Sequence, residues 1–177
     1  MIEKVIFLDV DGVLCTPLSF RINRILRRPL ERESFDPISL FWLHRLVRQT
    51  GARLVLSSSW RDMLTIDNPM CKAIMENFFA CLKRNHTPLE DVTPPMDNGD
   101  KGAEIALWLE RNPCGRYIVL DDHNCFSSHP EVAEHWIPVP DSAGLRRREA
   151  VQAEKQLNEN IFPHFPPGKG AGEKNLP

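Results

Sequence analysis

Three short apolar runs punctuate the chain, and each breaks off into polar residues. Residues 5–8 (Val-Ile-Phe-Leu) lead into Asp9, residues 54–56 (Leu-Val-Leu) into Ser57, and residues 118–120 (Ile-Val-Leu) into Asp121. A continuous apolar run of this length reads as a strand buried on both faces. Between the runs the period changes to that of a helix. Asp36-Pro37 is a helix start, a capping acid followed by Pro at the first helical position. The helix then covers residues 38–50, with Leu40, Leu43, Leu46 and Val47 as its apolar stripe, and Gly51 ends it. Residues 61–82 read as helical with an interruption at Asp67-Asn68-Pro69, and Ile74, Phe78 and Leu82 recur every fourth residue. Another helix opens at residues 100–109, where Ile105, Trp108 and Leu109 supply the apolar side.

Elsewhere the pattern is weaker. Residues 85–100 carry Pro88, Pro94, Pro95 and Asn98-Gly99 and read as irregular. Residues 135–139 form a short strand placed at a sheet edge, because Pro138 cannot donate to a ladder. A last helix runs to about residue 158. Strands alternating with helices imply an α/β fold with a parallel sheet. The expected organisation is one domain over residues 1–160, a short flap at 16–35, and a disordered tail at 161–177, rich in Pro, Gly and Lys.

Composition narrows the class. A chain of 177 residues with 42% hydrophobic residues can bury a sizeable core. A net charge of −2 argues against a protein that coats nucleic acid wholesale. The five cysteines (Cys15, Cys71, Cys81, Cys114, Cys125) are odd in number and form no Cys-x-x-Cys pair, a pattern of reduced thiols. No apolar run approaches the roughly 20 residues that span a bilayer, so no membrane partner is expected. The chain enters its first strand directly, without a signal-peptide pattern, and a cytoplasmic location is the expectation.

The candidate chemistry sits where the strands end. Asp9 and Asp11, two apart in an extended chain, share a face. They lie at the carboxyl end of the first strand, where open parallel sheets bind ligands. Gly12 lets the chain turn tightly and a ligand approach the backbone. Two close carboxylates repel, and a hard cation such as Mg2+, completed by a substrate phosphate, relieves the conflict. The hydroxyl of Ser57, with the backbone N–H of Ser58 next in line and a helix N-terminus following, suits a phosphoryl oxygen. Lys101 begins a helix, against the usual preference for acids there. Asp121-Asp122-His123 closes the third run. His44 and His123 read as structural and loop residues, and Trp60 as core. The flap is rich in arginine: Arg21, Arg24, Arg27, Arg28 and Arg32. A basic flap attracts an anionic substrate. Its residues 20–26 allow either a helical turn or a hairpin.

Asp9-Val10-Asp11-Gly12-Val13-Leu14 after an apolar strand resembles the first motif of the haloacid dehalogenase (HAD) superfamily. Ser57, Lys101 and Asp121-Asp122 follow in the order of its three later motifs, over roughly residues 4–157. A response-regulator receiver places these residue types in a different order, so that reading fails. The pairing of residues 57–61 with residues 141–145 is similar to the HAD domains called Swiss Army Knife RNA repair-like. Arg146 departs from that pattern, which has a hydroxyl residue after Gly-Leu.

The resemblance implies a HAD-like Rossmannoid three-layer sandwich with a mainly parallel central sheet. It implies no large cap domain, since residues 60–101 leave little room for one. It makes Asp9 the nucleophile and Asp11 the general acid/base. Ser57 and Lys101 hold the phosphoryl group. Asp9, the Asp11 carbonyl, and Asp121 or Asp122 bind Mg2+. Gly12, Ser58, Arg61, Arg24, Arg27 and Arg28 are candidate substrate-binding residues. An open site of this kind suits a phosphate on a nucleic-acid end. A nucleotide or another small phosphate is the rival, and a non-catalytic phospho-ligand or partner-binding module is the alternative of another class. The oligomeric state stays open.

Overall fold

The computed structural model describes residues 2–96 and 99–159. The expected tail at 161–177 lies outside the described residues. Among the described residues five strands form one all-parallel sheet: β1 (Ile2–Leu8), β2 (Arg53–Leu56), β3 (Leu89–Val92), β4 (Cys114–Asp121) and β5 (Trp136–Pro138). Their spatial order is β3-β2-β1-β4-β5. The central strand is therefore β1, whose residues 5–8 are fully buried.

Six α-helices of the described residues connect and cover the strands: α1 (Pro17–Ile25), α2 (Pro37–Thr50), α3 (Pro69–Arg84), α4 (Lys101–Arg111), α5 (Pro130–Ala133) and α6 (Arg147–Asn158). Alternate strand residues enter two separate cores, as a pleated strand requires. Ile6, Leu8, Leu54 and Leu56 meet Leu43 of α2, Phe78 of α3 and Ala153 of α6. Val5, Phe7, Val55 and Val119 meet Ile105 and Trp108 of α4 and Val132 of α5. The result is the expected three-layer sandwich, doubly wound about β1. Its order reverses between β1 and β4, which makes the crevice at their carboxyl ends the ligand-binding position of such a sheet.

Two elements differ from the sequence expectation. Residues 85–100, read as irregular, contain β3. It escapes detection because it lies at a sheet edge with Glu90 and Asp91 exposed, so no apolar run marks it. Its pairing with β2 also slips between Leu54 and Val55. The first part of the stretch expected to be helical, residues 59–64, is a 3-10 turn ahead of α3. The flap resolves to a helix, α1. Thr16 and Ser19 form a reciprocal capping box at its start, and Pro17 takes its first position. Asn23, buried, then holds the returning segment of the flap: its Nδ2 donates to the Ser34 carbonyl at 3.0 Å, and its Oδ1 accepts from the Ser34 N–H at 2.7 Å. No described helix is long and apolar enough to cross a membrane.

Candidate active site

The last paired row of the three central strands is Leu56–Leu8–Leu120. One residue further along, the chain places Ser57, Asp9 and Asp121 side by side. The Ser57 N–H donates to the Leu8 carbonyl at 2.9 Å, and the Asp9 N–H to the Leu120 carbonyl at 3.0 Å. By alternation these three share the face of Val55, Phe7 and Val119, the face that α4 covers. Lys101 is the first residue of α4. The register of the sheet thus sets one hydroxyl and two carboxylates in a row, under the lysine.

Lys101 Nζ bridges the two acids. It donates to Asp121 Oδ2 and lies 3.4 Å from Asp9 Oδ1. Asp9 and Asp121 are 6% and 1% exposed. Burial lifts the Asp9 carboxyl to about 6, with Lys101 pulling it down, Asp121 pushing it up, and the nearby Ser58 hydroxyl pulling it down. Asp121 is also raised, chiefly by burial. Burial alone would lower Lys101, but the Asp9 and Asp121 charges outweigh it and keep the ammonium protonated beyond its usual range. Those carboxylates also offset the unfavourable placement of a cation at a helix N-terminus. Asp100 caps the helix by accepting from the Ala103 N–H at 3.1 Å.

The turn after β1 holds Asp11 at the surface. The Gly12 N–H donates to the Cys15 carbonyl at 2.9 Å, and the Val10 carbonyl accepts from the Leu14 and Cys15 N–H groups. Gly12 has φ +69°. A Cβ there would fall 2.2 Å from Asp122 Oδ2, so Asp122 rests directly on the glycine. Asp122 also meets His123 Nδ1 at 2.8 Å. Asp121 Oδ1 accepts from the His123 N–H at 2.9 Å.

The other expected site residues divide into two groups. Ser58 is buried, with its oxygen accepting from the Trp60 N–H at 3.4 Å. Arg61 is drawn inward: its NH2 group pairs with Glu104 of α4, and NH1 donates to Thr93 Oγ1 at 3.1 Å. Glu104 is 1% exposed, and a buried carboxylate without a partner is strongly destabilising. Both terminal nitrogens of the guanidinium expected to meet substrate are therefore committed to the protein, where they tie the segment after β2 to the helix that carries Lys101, while the buried Nε has no hydrogen-bond partner among the described residues. Arg24, Arg27 and Arg28 are exposed on the flap. Among the described residues no hydrogen bond or ion pair links them to Asp9, Lys101 or Asp121. Arg28 instead donates to Ser34 Oγ.

Sequence reasoning missed one contact to a candidate site residue. Trp60, expected in the core, is half-buried and packs against its edge beside Phe35 and Phe78, with ring centroids 5.8 and 5.6 Å away. Its indole Nε1 also donates to Asp11 Oδ2 at 3.0 Å. The available signal was only that a buried indole N–H needs an acceptor.

The donor set suits a hard cation. Asp9, Asp121 and Asp122 offer carboxylate oxygens, the ligands Mg2+ prefers. One ligand atom from each of Asp121, Asp122 and His123 lies within 4.8 Å of the others. Among the described residues the fully buried Ser57 Oγ has no hydrogen-bond partner. A buried polar atom left in that state calls for a ligand or water oxygen. The residues present therefore fit both a divalent cation and an oxyanion.

No curated protein matches the chain. Residues 5–150, the span from β1 into the start of α6, match the family described as the HAD domain in Swiss Army Knife RNA repair proteins. That span contains the Ser57–Asp9–Asp121 row, Lys101 and the Gly12 turn, and it covers most of the 177 residues, so the chain belongs to this HAD family.

Proposed function

We propose that the chain is a Mg2+-dependent phosphatase that works through an aspartyl-phosphate intermediate, on an exposed phosphomonoester such as a nucleic-acid end. Family membership supports the coarser statement, a phosphatase-type hydrolase. The observation that carries the finer reading is the bridge from Lys101 to the buried Asp9 and Asp121, set beside the unpartnered Ser57 hydroxyl.

With its carboxyl lifted to about 6, Asp9 is ionised at neutral pH and is the least hydrated carboxylate of the turn. Its Oδ atom attacks phosphorus as the bond to the leaving oxygen breaks, and Asp11 gives that oxygen a proton. Asp11 then takes a proton from water, which attacks phosphorus and releases Asp9 and inorganic phosphate. Lys101 and Ser57 hold the phosphoryl oxygens through both steps. Asp9, the Asp11 carbonyl, and Asp121 or Asp122 would hold Mg2+. When bound, the ion offsets the repulsion between the Asp9 carboxylate and the phosphate dianion.

The test is phosphate release from an aryl phosphate, mononucleotides, and oligonucleotides with a 3′- or 5′-phosphate, each with Mg2+ and with chelator. Release that needs Mg2+ and vanishes in Asp9→Asn is the expected result. Turnover retained by a pure Asp9→Asn preparation would overturn the mechanism. Activity on mononucleotides as good as on oligonucleotide ends would replace the polymer end with a small substrate.

A further inference from the structure

A pocket of about 220 Å3 lies between the flap and the segment after β2, and the chemistry above makes no use of it. Phe20, Leu30 and Phe35 form one side, and Trp60, Met63 and Ile74 the other. Three observations define what it holds.

Trp60 belongs to both the pocket and the site. Its ring lines the cavity while its Nε1 donates to Asp11. Asp11 is the acid that serves the leaving oxygen, so the pocket lies on the leaving-group side. Asn23, Ser34 and Asn77 in its wall are already engaged, while Glu33 also lines it. Asn23 holds the Ser34 backbone through both its amide atoms, and Asn77 Nδ2 donates to the Glu33 carbonyl at 2.9 Å. Aromatic and aliphatic surface is left to meet a ligand. Finally, Phe20 and Leu30 at the rim are 54% and 58% exposed. They stand on the same flap as the exposed Arg21, Arg24, Arg27, Arg28 and Arg32. Large apolar side chains left in water around a concavity mark a binding surface, and the arginines beside them favour a ligand that carries further negative charge. The volume is below the roughly 300–1,000 Å3 of a site that holds a whole small molecule. It suits one ring system.

We propose that this pocket receives the nucleobase of the substrate, so that the scissile phosphate is borne by a nucleoside and a ribose oxygen departs at Asp11. The proposal rests on the phosphatase reading and names its substrate class. The base lies against the ring of Trp60, with the exposed Phe20 and Leu30 at its edge. With the wall's amides engaged, recognition works by stacking and shape, which every base satisfies. The flap arginines attract the neighbouring phosphates.

The experiment compares kcat/KM for four esters, using the full chain with Mg2+: a nucleoside monophosphate, ribose phosphate, an oligonucleotide with a terminal phosphate, and the same oligonucleotide with an abasic terminal residue. Each base-bearing ester is expected to exceed its base-less partner by about tenfold or more. Ile74→Trp, which fills the pocket, brings that ratio close to one. Leu30→Ala, at an exposed rim position on which folding does not depend, lowers it several-fold. Equal kcat/KM with and without the base, or a ratio unchanged in both variants, overturns the pocket assignment alone. Release from none of the four overturns the phosphatase reading and the assignment with it. A preference confined to the oligonucleotide pair and steeply lost with salt assigns the base to a strand end; one shared by both pairs assigns it to a nucleotide.

Discussion

Trp60 and Asp11, 49 positions apart in the chain, are joined by a 3.0 Å hydrogen bond from the indole Nε1 to a carboxylate oxygen. The ring behind that N–H is wedged against Phe35 and Phe78, so an exposed acid is aimed by a side chain anchored against the core. Trp60→Phe keeps most of the packing and removes the donor. Phosphate release should fall about tenfold, while stability changes by no more than about 1 kcal/mol. Trp60→Ala should also lose packing, about 3 kcal/mol. Turnover and urea unfolding of both variants check the separation. An unchanged rate in Trp60→Phe would show that Asp11 needs no such aim.

Gly12→Ala makes a different demand. The new Cβ would collide with Asp122 Oδ2, and φ +69° is strained for alanine. Backbone strain of this kind costs roughly 1–2 kcal/mol, and Asp122 must move. The expected outcome is a lowered melting temperature and a weakened Mg2+-induced stabilisation, both read by thermal unfolding across a Mg2+ titration. A variant that responds to Mg2+ as wild type does would remove Asp122 from the ligand set.

Burial lowers the titration of His135, although its Nδ1 faces the Tyr117 carbonyl at 3.0 Å and Glu134 is nearby. The ring stacks on Tyr117 with centroids 4.0 Å apart. A histidine depressed in the folded state binds its proton more readily when unfolded. Its contribution to stability is complete above about pH 6.5, the unfolded value, and is lost as the pH falls below it. Asp9, lifted to about 6, works in the opposite sense: the folded state binds its proton first, so acidification through that range favours folding. In an Asp9→Asn background the Asp9 part is gone, while Asp121, also raised by burial, still opposes the histidine. There, His135→Phe should make the urea midpoint fall less, or rise more, between pH 7.5 and pH 5.5 than it does with His135 in place; identical slopes would remove His135 from the pH dependence.

Arg146 donates to Asp36 Oδ2 at 2.9 Å and to Ser39 Oγ at 2.8 Å. Asp36 is fully buried, and hydrogen bonds from Thr16, Arg146 and the N–H groups of Ser39 and Ile38 outweigh its desolvation and hold its carboxyl below the usual range. Arg146→Ala leaves part of that charge unmatched. The expected cost is about 2 kcal/mol, seen as a drop of roughly 4–8 °C in melting temperature. Arg146→Lys should recover only part of it, because one ammonium cannot reproduce the fork.

The legible parts of this protein are those written by local rules. β1, β2 and β4 announced themselves as apolar runs, and α2 by Asp36-Pro37 at its start and Gly51 at its end. Asp9, Ser57, Lys101 and Asp121 stood at element ends and in motif order, and the register of the sheet brings them together. What stayed hidden depends on partners remote in sequence. β3 is a strand only because β2 lies beside it, with two of its four residues facing water. Arg61 is turned from the site by Glu104, 43 residues away. Arg146, a departure from the family pattern in the linear sequence, meets Asp36 110 residues earlier.

That last contact has a mechanical consequence. Thr16, the cap of α1, donates to the same Asp36 oxygen that receives Arg146, at 2.7 Å. Gly144 packs so closely that a Cβ would meet Thr16 Cγ2 at 2.4 Å and Ser39 Oγ at 2.6 Å. The root of the basic flap is thus clamped between the start of α2 and the loop that leads into α6. A lever fixed at its fulcrum can flex only along its arm. Any flexing of the flap is then left to its far end, residues 26–33, where Arg27 holds a left-handed φ of 49°.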